Sequence, residues 1–94
     1  MTNLRQQIID VLSAFNYTVK NIDLIATRSA KFATNWTKLT KDYPNPDNAN
    51  KVLEQATMDE NLVIMLTTSE PDTTAWLECE FDGMDYHVTL NKKK

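Results

Sequence analysis

Leu4, Ile8, Val11, Leu12 and Phe15 recur at the three- and four-residue spacing of one helix face, and Ile9 widens the stripe. Thr2 or Asn3 supplies a side-chain oxygen for the free amides of the first turn. The spacing therefore predicts a helix over about 3–15, with Asn16 as its stop. In the next stretch Ile22, Leu24 and Ala26 alternate with Asp23, Ile25 and Thr27. This favours a strand over about 21–27 against a competing helix through Val19, Ile22 and Ala26. Phe32, Trp36, Leu39 and Tyr43 then form one stripe of a helix over about 31–42, with Lys31, Lys38 and Lys41 off it. An aromatic stripe of this kind reads as core rather than as a ligand platform. Residues 44–48 read as a stiff loop, because Pro44 and Pro46 fix φ and bias the residues before them away from helix. Asp47 or Asn48 then caps a short third helix carrying Val52, Leu53 and Ala56 and ending near Met58.

Beyond residue 60 the period changes to two. Residues 62–66 are an unbroken, partly β-branched apolar run, as a strand covered on at least one face requires. Ser69, Glu70, Pro71 and Asp72 turn the chain, and two alternating runs follow with Asp82-Gly83 between them. Asp-Gly between alternating runs predicts a two-residue type I′ hairpin, and Gly83 is the only glycine in the chain. The predicted strands are about 62–67, 74–81 and 84–90. A two-residue turn sets Phe81 opposite Met84, Glu80 opposite Asp85, Cys79 opposite Tyr86 and Glu78 opposite His87. Ala75, Leu77, Cys79, Phe81, Met84, Tyr86, Val88 and Leu90 then share an uncharged face. Trp76, Glu78, Glu80, Asp85, His87 and Thr89 share the other. Cys79 becomes a small core residue rather than a nucleophile.

These elements add up to an α+β fold. An antiparallel sheet of three or four strands, with its meander over about 62–90, has one face covered by two or three helices. At 94 residues the chain fits one domain, read as 1–91, with 92–94 as a basic C-terminal tail. One cysteine excludes an internal disulfide framework, and no Cys/His cluster has zinc-site spacing, so no metal or other cofactor is expected. The longest apolar run is too short to span a membrane, and the first residues lack a signal-peptide pattern. A cytoplasmic protein without a membrane partner is the expectation.

Charge sharpens the picture. Residues 1–58 carry seven basic and five acidic side chains, residues 59–91 carry eight acidic and no Lys or Arg, and Lys92 to Lys94 close the chain. An anionic block of this kind repels phosphates and speeds encounter with basic surfaces. With pI about 5.0 and no clustered basic face, direct nucleic-acid binding is not expected. The plainest reading of the block is a solvated strand face kept soluble by carboxylates.

Chemistry concentrates on the polar face of the hairpin. Trp76 beside Glu78, Glu80, Asp85 and His87 suits a partner that inserts Arg or Lys, since indole and carboxylates both attract cations. Glu78 opposite His87 would favour imidazolium, and Glu80 opposite Asp85 would be a like-charge pair. The same residues could in principle serve a metal ion or acid–base hydrolysis, which requires His87 at the floor of a pocket within reach of two carboxylates. A third reading is an acidic inhibitor that mimics nucleic acid, which requires carboxylates from several elements merging into one ridge.

Trp76-Leu77-Glu78-Cys79-Glu80-Phe81-Asp82-Gly83 resembles the C-terminal hairpin of small proteins encoded by phages and mobile elements of Gram-positive bacteria, Trp-Leu-Glu-x-Glu-aromatic-Asp-Gly preceded by an apolar strand. The likeness covers about a third of the chain. The second tryptophan of that pattern is replaced here by Tyr86 or His87. It implies a mobile-element origin and no particular activity; small acidic anti-CRISPR inhibitors share the size and charge class only by analogy. The sequence thus points to a non-enzymatic accessory protein, with no catalytic residues, that binds a basic protein surface through Trp76, Glu78, Glu80, Asp85 and His87.

Overall fold

The computed structural model describes residues 3–25 and 33–93. Thr2, residues 26 and 27 of the expected first strand, Lys31 and Phe32 of the expected second helix, and Lys94 lie outside them.

The first helix, α1 (Leu4–Ala14), begins where the Asn3 side chain accepts the Gln6 amide. It ends at Asn16, whose φ of 63° turns the chain left-handed while the Tyr17 N–H reaches back to the Leu12 carbonyl at 2.9 Å. Leu4, Ile8 and Leu12 are buried, whereas Phe15 is half in solvent. After a 3-10 turn at Val19–Asn21 comes β1 (Ile22–Ile25), followed by β2 (Ala33–Asn35). The aromatic stripe predicts helix at 33–35; the structure instead pairs these residues antiparallel with β1, Asp23 opposite Asn35. Asn35 is the reason. Its extended backbone ends β2 while its side chain accepts the Lys38 amide and starts α2 (Trp36–Asp42). Of the expected aromatic stripe, Trp36 and Leu39 are buried, and Tyr43, just past the helix, is 40% exposed.

The expected 44–48 loop is also shorter. Asn45 caps and Pro46 occupies the first helical position of α3 (Pro46–Glu60), where its missing N–H and fixed φ do no harm. The helix passes Met58 and stops at Asn61, with φ 56°. Asn50, nearly buried, ties α3 to α1: its Oδ1 accepts the Arg5 amide at 2.8 Å and its Nδ2 donates to Glu54 at 2.7 Å. That bond satisfies an amide of the first turn of α1 which has no partner within the helix.

The remaining strands are β3 (Leu62–Leu66), β4 (Thr74–Phe81) and β5 (Tyr86–Lys93). The described residues form one antiparallel five-stranded sheet in the order β2-β1-β3-β4-β5. Residues 92 and 93, expected as a tail, extend β5 opposite Ala75 and Thr74. Leu62, Ile64 and Leu66, with Ala75, Leu77 and Cys79, meet Leu4, Ile8, Leu12, Trp36, Leu39 and Leu53 in one core. All three helices contribute to that side, and the residues of β3 and β4 that face the other way are absent from the core. The fold is α+β, with the helices on one face of the sheet.

Candidate functional site

The alternation of β3 and β4 builds the face that the helices leave open. Every second residue goes inward, so Val63, Met65, Trp76 and Glu78 point the other way and are half-buried. The ladder sets Met65, Trp76 and Asn91 in one row across β3, β4 and β5, and Val63, Glu78 and Thr89 in the next. Asp23 stands opposite Met65 on the far side, and Glu80 stands opposite His87 beyond the second row. The Trp76 Nε1–H donates to Glu78 Oε1 at 2.9 Å. Residues two apart on a strand share a face, and this bond holds the indole along β4, with Met65 opposite Trp76 and Val63 opposite Glu78. Trp76 is therefore a fixed, half-covered ring rather than the freely exposed side chain the sequence suggests.

The hairpin differs from its expected form. A type I′ turn needs positive φ at Asp82 and Gly83; only Gly83 takes it, at 99°. The Asp82 carboxylate instead accepts the Met84 and Asp85 amides, each at 2.8 Å, and the Asp82 N–H donates to the Asp85 carbonyl at 3.1 Å. The loop thereby holds Asp82 to Asp85 and the register slips by two, to Phe81 opposite Tyr86 and Glu80 opposite His87. A slip of two preserves the face of every strand residue. Ala75, Leu77 and Cys79 are fully buried; Phe81, Tyr86, Val88 and Leu90 line the outer part of the same side. Met84, expected on the core face, sits at the loop tip and is 85% exposed. Phe81 and Tyr86, now facing each other, pack with ring centroids 4.8 Å apart.

The expected pairs are correspondingly replaced. His87 does not face Glu78; its Nε2 lies 2.7 Å from Asp82 Oδ2, and Glu80 stands across from it. The like-charge pairing of Glu80 with Asp85 does not form, because Asp85 belongs to the loop. Asp85 lines a cleft of about 550 Å³ between the hairpin, α1 and α3, with Glu54 and Tyr86. The structure thus sets Trp76, Glu78, Glu80 and His87 on one face of the ladder and leaves Asp85 in the loop, where it lines the cleft beside His87. Met65, Val63 and Asp23 belong to the face and were missed. The 62–66 run hides its alternation because both of its faces are apolar, and Asp23 is placed only by pairing across β1 and β3.

Electrostatics follow the contacts. The Asp85 amide, the His87 ring and the Met84 amide hold the Asp82 carboxyl well below the usual carboxylate range. The bond to Asp82 raises His87 above its ordinary value, assisted by the charges of Asp82, Asp85 and Glu80. Burial pushes the Cys79 thiol up to about 12, so at neutral pH it is protonated and packed in the core. His87 is exposed, bonded to the Asp82 carboxylate, and lines the same cleft as Asp85 and Glu54. Among the described residues no group of three or more His, Cys, Asp and Glu side chains is placed to hold a metal ion. No described helix is long and apolar enough to cross a membrane. Comparison of the chain with protein families, curated proteins and solved structures found no match.

Proposed function

We propose that this chain is a non-enzymatic accessory protein that docks on a basic protein surface through the open face of its sheet. The observation that carries this reading is the one-sided layering. Among the described residues the helices cover a single face, and the other keeps a half-buried apolar strip of Val63, Met65 and Trp76 among the carboxylates of Asp23, Glu78 and Glu80. Aromatic and apolar side chains in the middle of a polar rim form the usual anatomy of a protein interface. A guanidinium stacking on the held indole would meet the Glu78 oxygen that Trp76 leaves free.

An NMR titration with an arginine-rich peptide, and with its acidic counterpart as control, tests the reading. The expected result is shifted amides on β3, β4 and β5, weakened by salt and lost in E78K/E80K. Shifts confined to the helices, equal response to the acidic peptide, or undiminished binding by E78K/E80K would overturn it.

A further inference from the structure

His87 stands at the border of the open face, and its place supports an inference that rests on the docking function proposed above. We infer that proton uptake by His87 weakens the hold of this face on a basic partner, so that the docking site is tuned by pH. Tyr86, Val88 and Leu90 pack against the core side of the sheet, and the alternation of β5 therefore puts His87, Thr89 and Asn91 on the open side. There Glu80 stands directly opposite His87, and Glu78 lies on the diagonal, in the neighbouring row with Thr89. Side chains in those two relations have Cβ atoms about 4.5–5.5 Å and about 7–8 Å apart. Glu78 in turn holds the Trp76 indole. The imidazole thus sits beside the carboxylates that a docked cation meets.

Among the described residues the charged groups that face the ring are carboxylates. Asp82 of the loop holds Nε2 at 2.7 Å, Glu80 faces it from β4, and Asp85 of the loop and Glu54 of α3 line the adjoining cleft. From α1 the uncharged Asn3 and Gln7 line that cleft. Burial and the Glu54 charge raise the neighbouring Tyr86 phenol above its ordinary 10.0, so it stays neutral while His87 titrates. The Asp82 bond raises His87 above its ordinary 6.5, desolvation opposing and the charges of Asp82, Asp85 and Glu80 assisting, which brings its proton exchange into the neutral range. Asp82 stays ionised throughout, because its carboxyl is held well below the usual carboxylate range. Protonated, the imidazolium cancels one carboxylate charge of the patch; neutral, it leaves Glu78, Glu80 and Asp82 uncompensated. A cation arriving at Trp76 and Glu78 therefore meets a weaker field below the His87 titration than above it. The coupling is reciprocal, so a bound cationic partner lowers the pH at which His87 titrates.

The test measures dissociation constants for an arginine-rich peptide with blocked termini, whose charge is constant with pH, at about pH 5.5 and about pH 8.5 in low salt. Binding is expected to be roughly fivefold weaker at the lower pH, the effect of one charge at a few ångströms in wet surroundings. H87Q, which keeps a donor for Asp82 but never charges, is expected to bind tightly at both pH values. H87K, charged at both, is expected to bind weakly at both. D82N removes the bond that raises His87, so its loss of affinity should set in at a lower pH than in the unaltered chain. By NMR the His87 ring should titrate at lower pH in the complex than in the free protein, by a matching factor in proton concentration. Peptide binding that is equal at the two pH values would overturn the inference and leave the docking reading standing. So would a pH dependence that survives H87Q, which would assign it to the carboxylates alone. Absence of binding at both pH values would overturn the docking reading and this inference together.

Discussion

The two faces of the sheet are made by the same strands and follow opposite rules. On the covered face Leu62, Ile64, Ala75, Leu77 and Cys79 are fully buried against α1, α2 and α3, and no charge enters the row. On the open face Val63, Met65 and Trp76 shelter one another only partly, and carboxylates sit among them. The first face is a packed interior, in which missing volume leaves a void. The second is a surface, in which a missing side chain is replaced by water. Adjacent residues on one strand thus have very different weights in stability, and the stability-neutral ones are free to serve recognition.

The largest test of this contrast pairs two truncations. L77A removes a fully buried side chain from the core and is expected to cost about 2–5 kcal/mol in urea unfolding. M65A, on the open face, is expected to cost about 1 kcal/mol or less. Equal costs would mean that the open face is packed as an interior, and the contrast would fail.

A smaller effect concerns how the helices are held over the covered face. N50A leaves the Arg5 amide of α1 without its acceptor in a partly buried place, and is expected to cost about 1–3 kcal/mol. N50D keeps an acceptor and should recover part of that loss. If N50A is silent by the same unfolding measurement, the layer is held by apolar packing alone.

The smallest effect lies at the exposed hairpin. His87 is raised from its ordinary 6.5 by the Asp82 bond, so the stability it contributes is complete below 6.5 and is lost as pH rises through its folded value. Asp82 is lowered from its ordinary 3.8, so its contribution is present above 3.8 and is lost as pH falls through its folded value. The pair is accordingly at full strength between pH 3.8 and 6.5. In D82N the His87 ring is expected to titrate closer to 6.5 by NMR, and the unfolding midpoint should lose its excess in that window. An unchanged His87 titration would remove Asp82 as the cause.

Much of the fold was legible because much of it is local. The α1 stripe and the Asn16 stop, the inward set of β4 and the burial of Cys79 follow from spacing and from residue type at single positions. Even the wrong turn length did little harm to the faces, because a slip of two keeps parity. The pairs, however, depend on the turn. There the Asp82 side chain bonds the loop amides in place of a two-residue turn and carries Asp85 away from Trp76. β2 was illegible for a similar reason. Three residues carry almost no period, and the helical stripe through Trp36 and Leu39 masks them; only the Asn35 side chain capping α2 marks the boundary.

Periodicity and residue chemistry alone determined that an apolar side and an anionic side exist and which residues of β4 belong to each, since side-chain alternation is a property of the strand itself. Only the tertiary structure decided which residues face each other across strands, that Met65 stands opposite Trp76, and that β5 is an edge strand of the sheet formed by the described residues. Those outcomes rest on hydrogen bonds between segments far apart in the chain, where no local pattern records the partner.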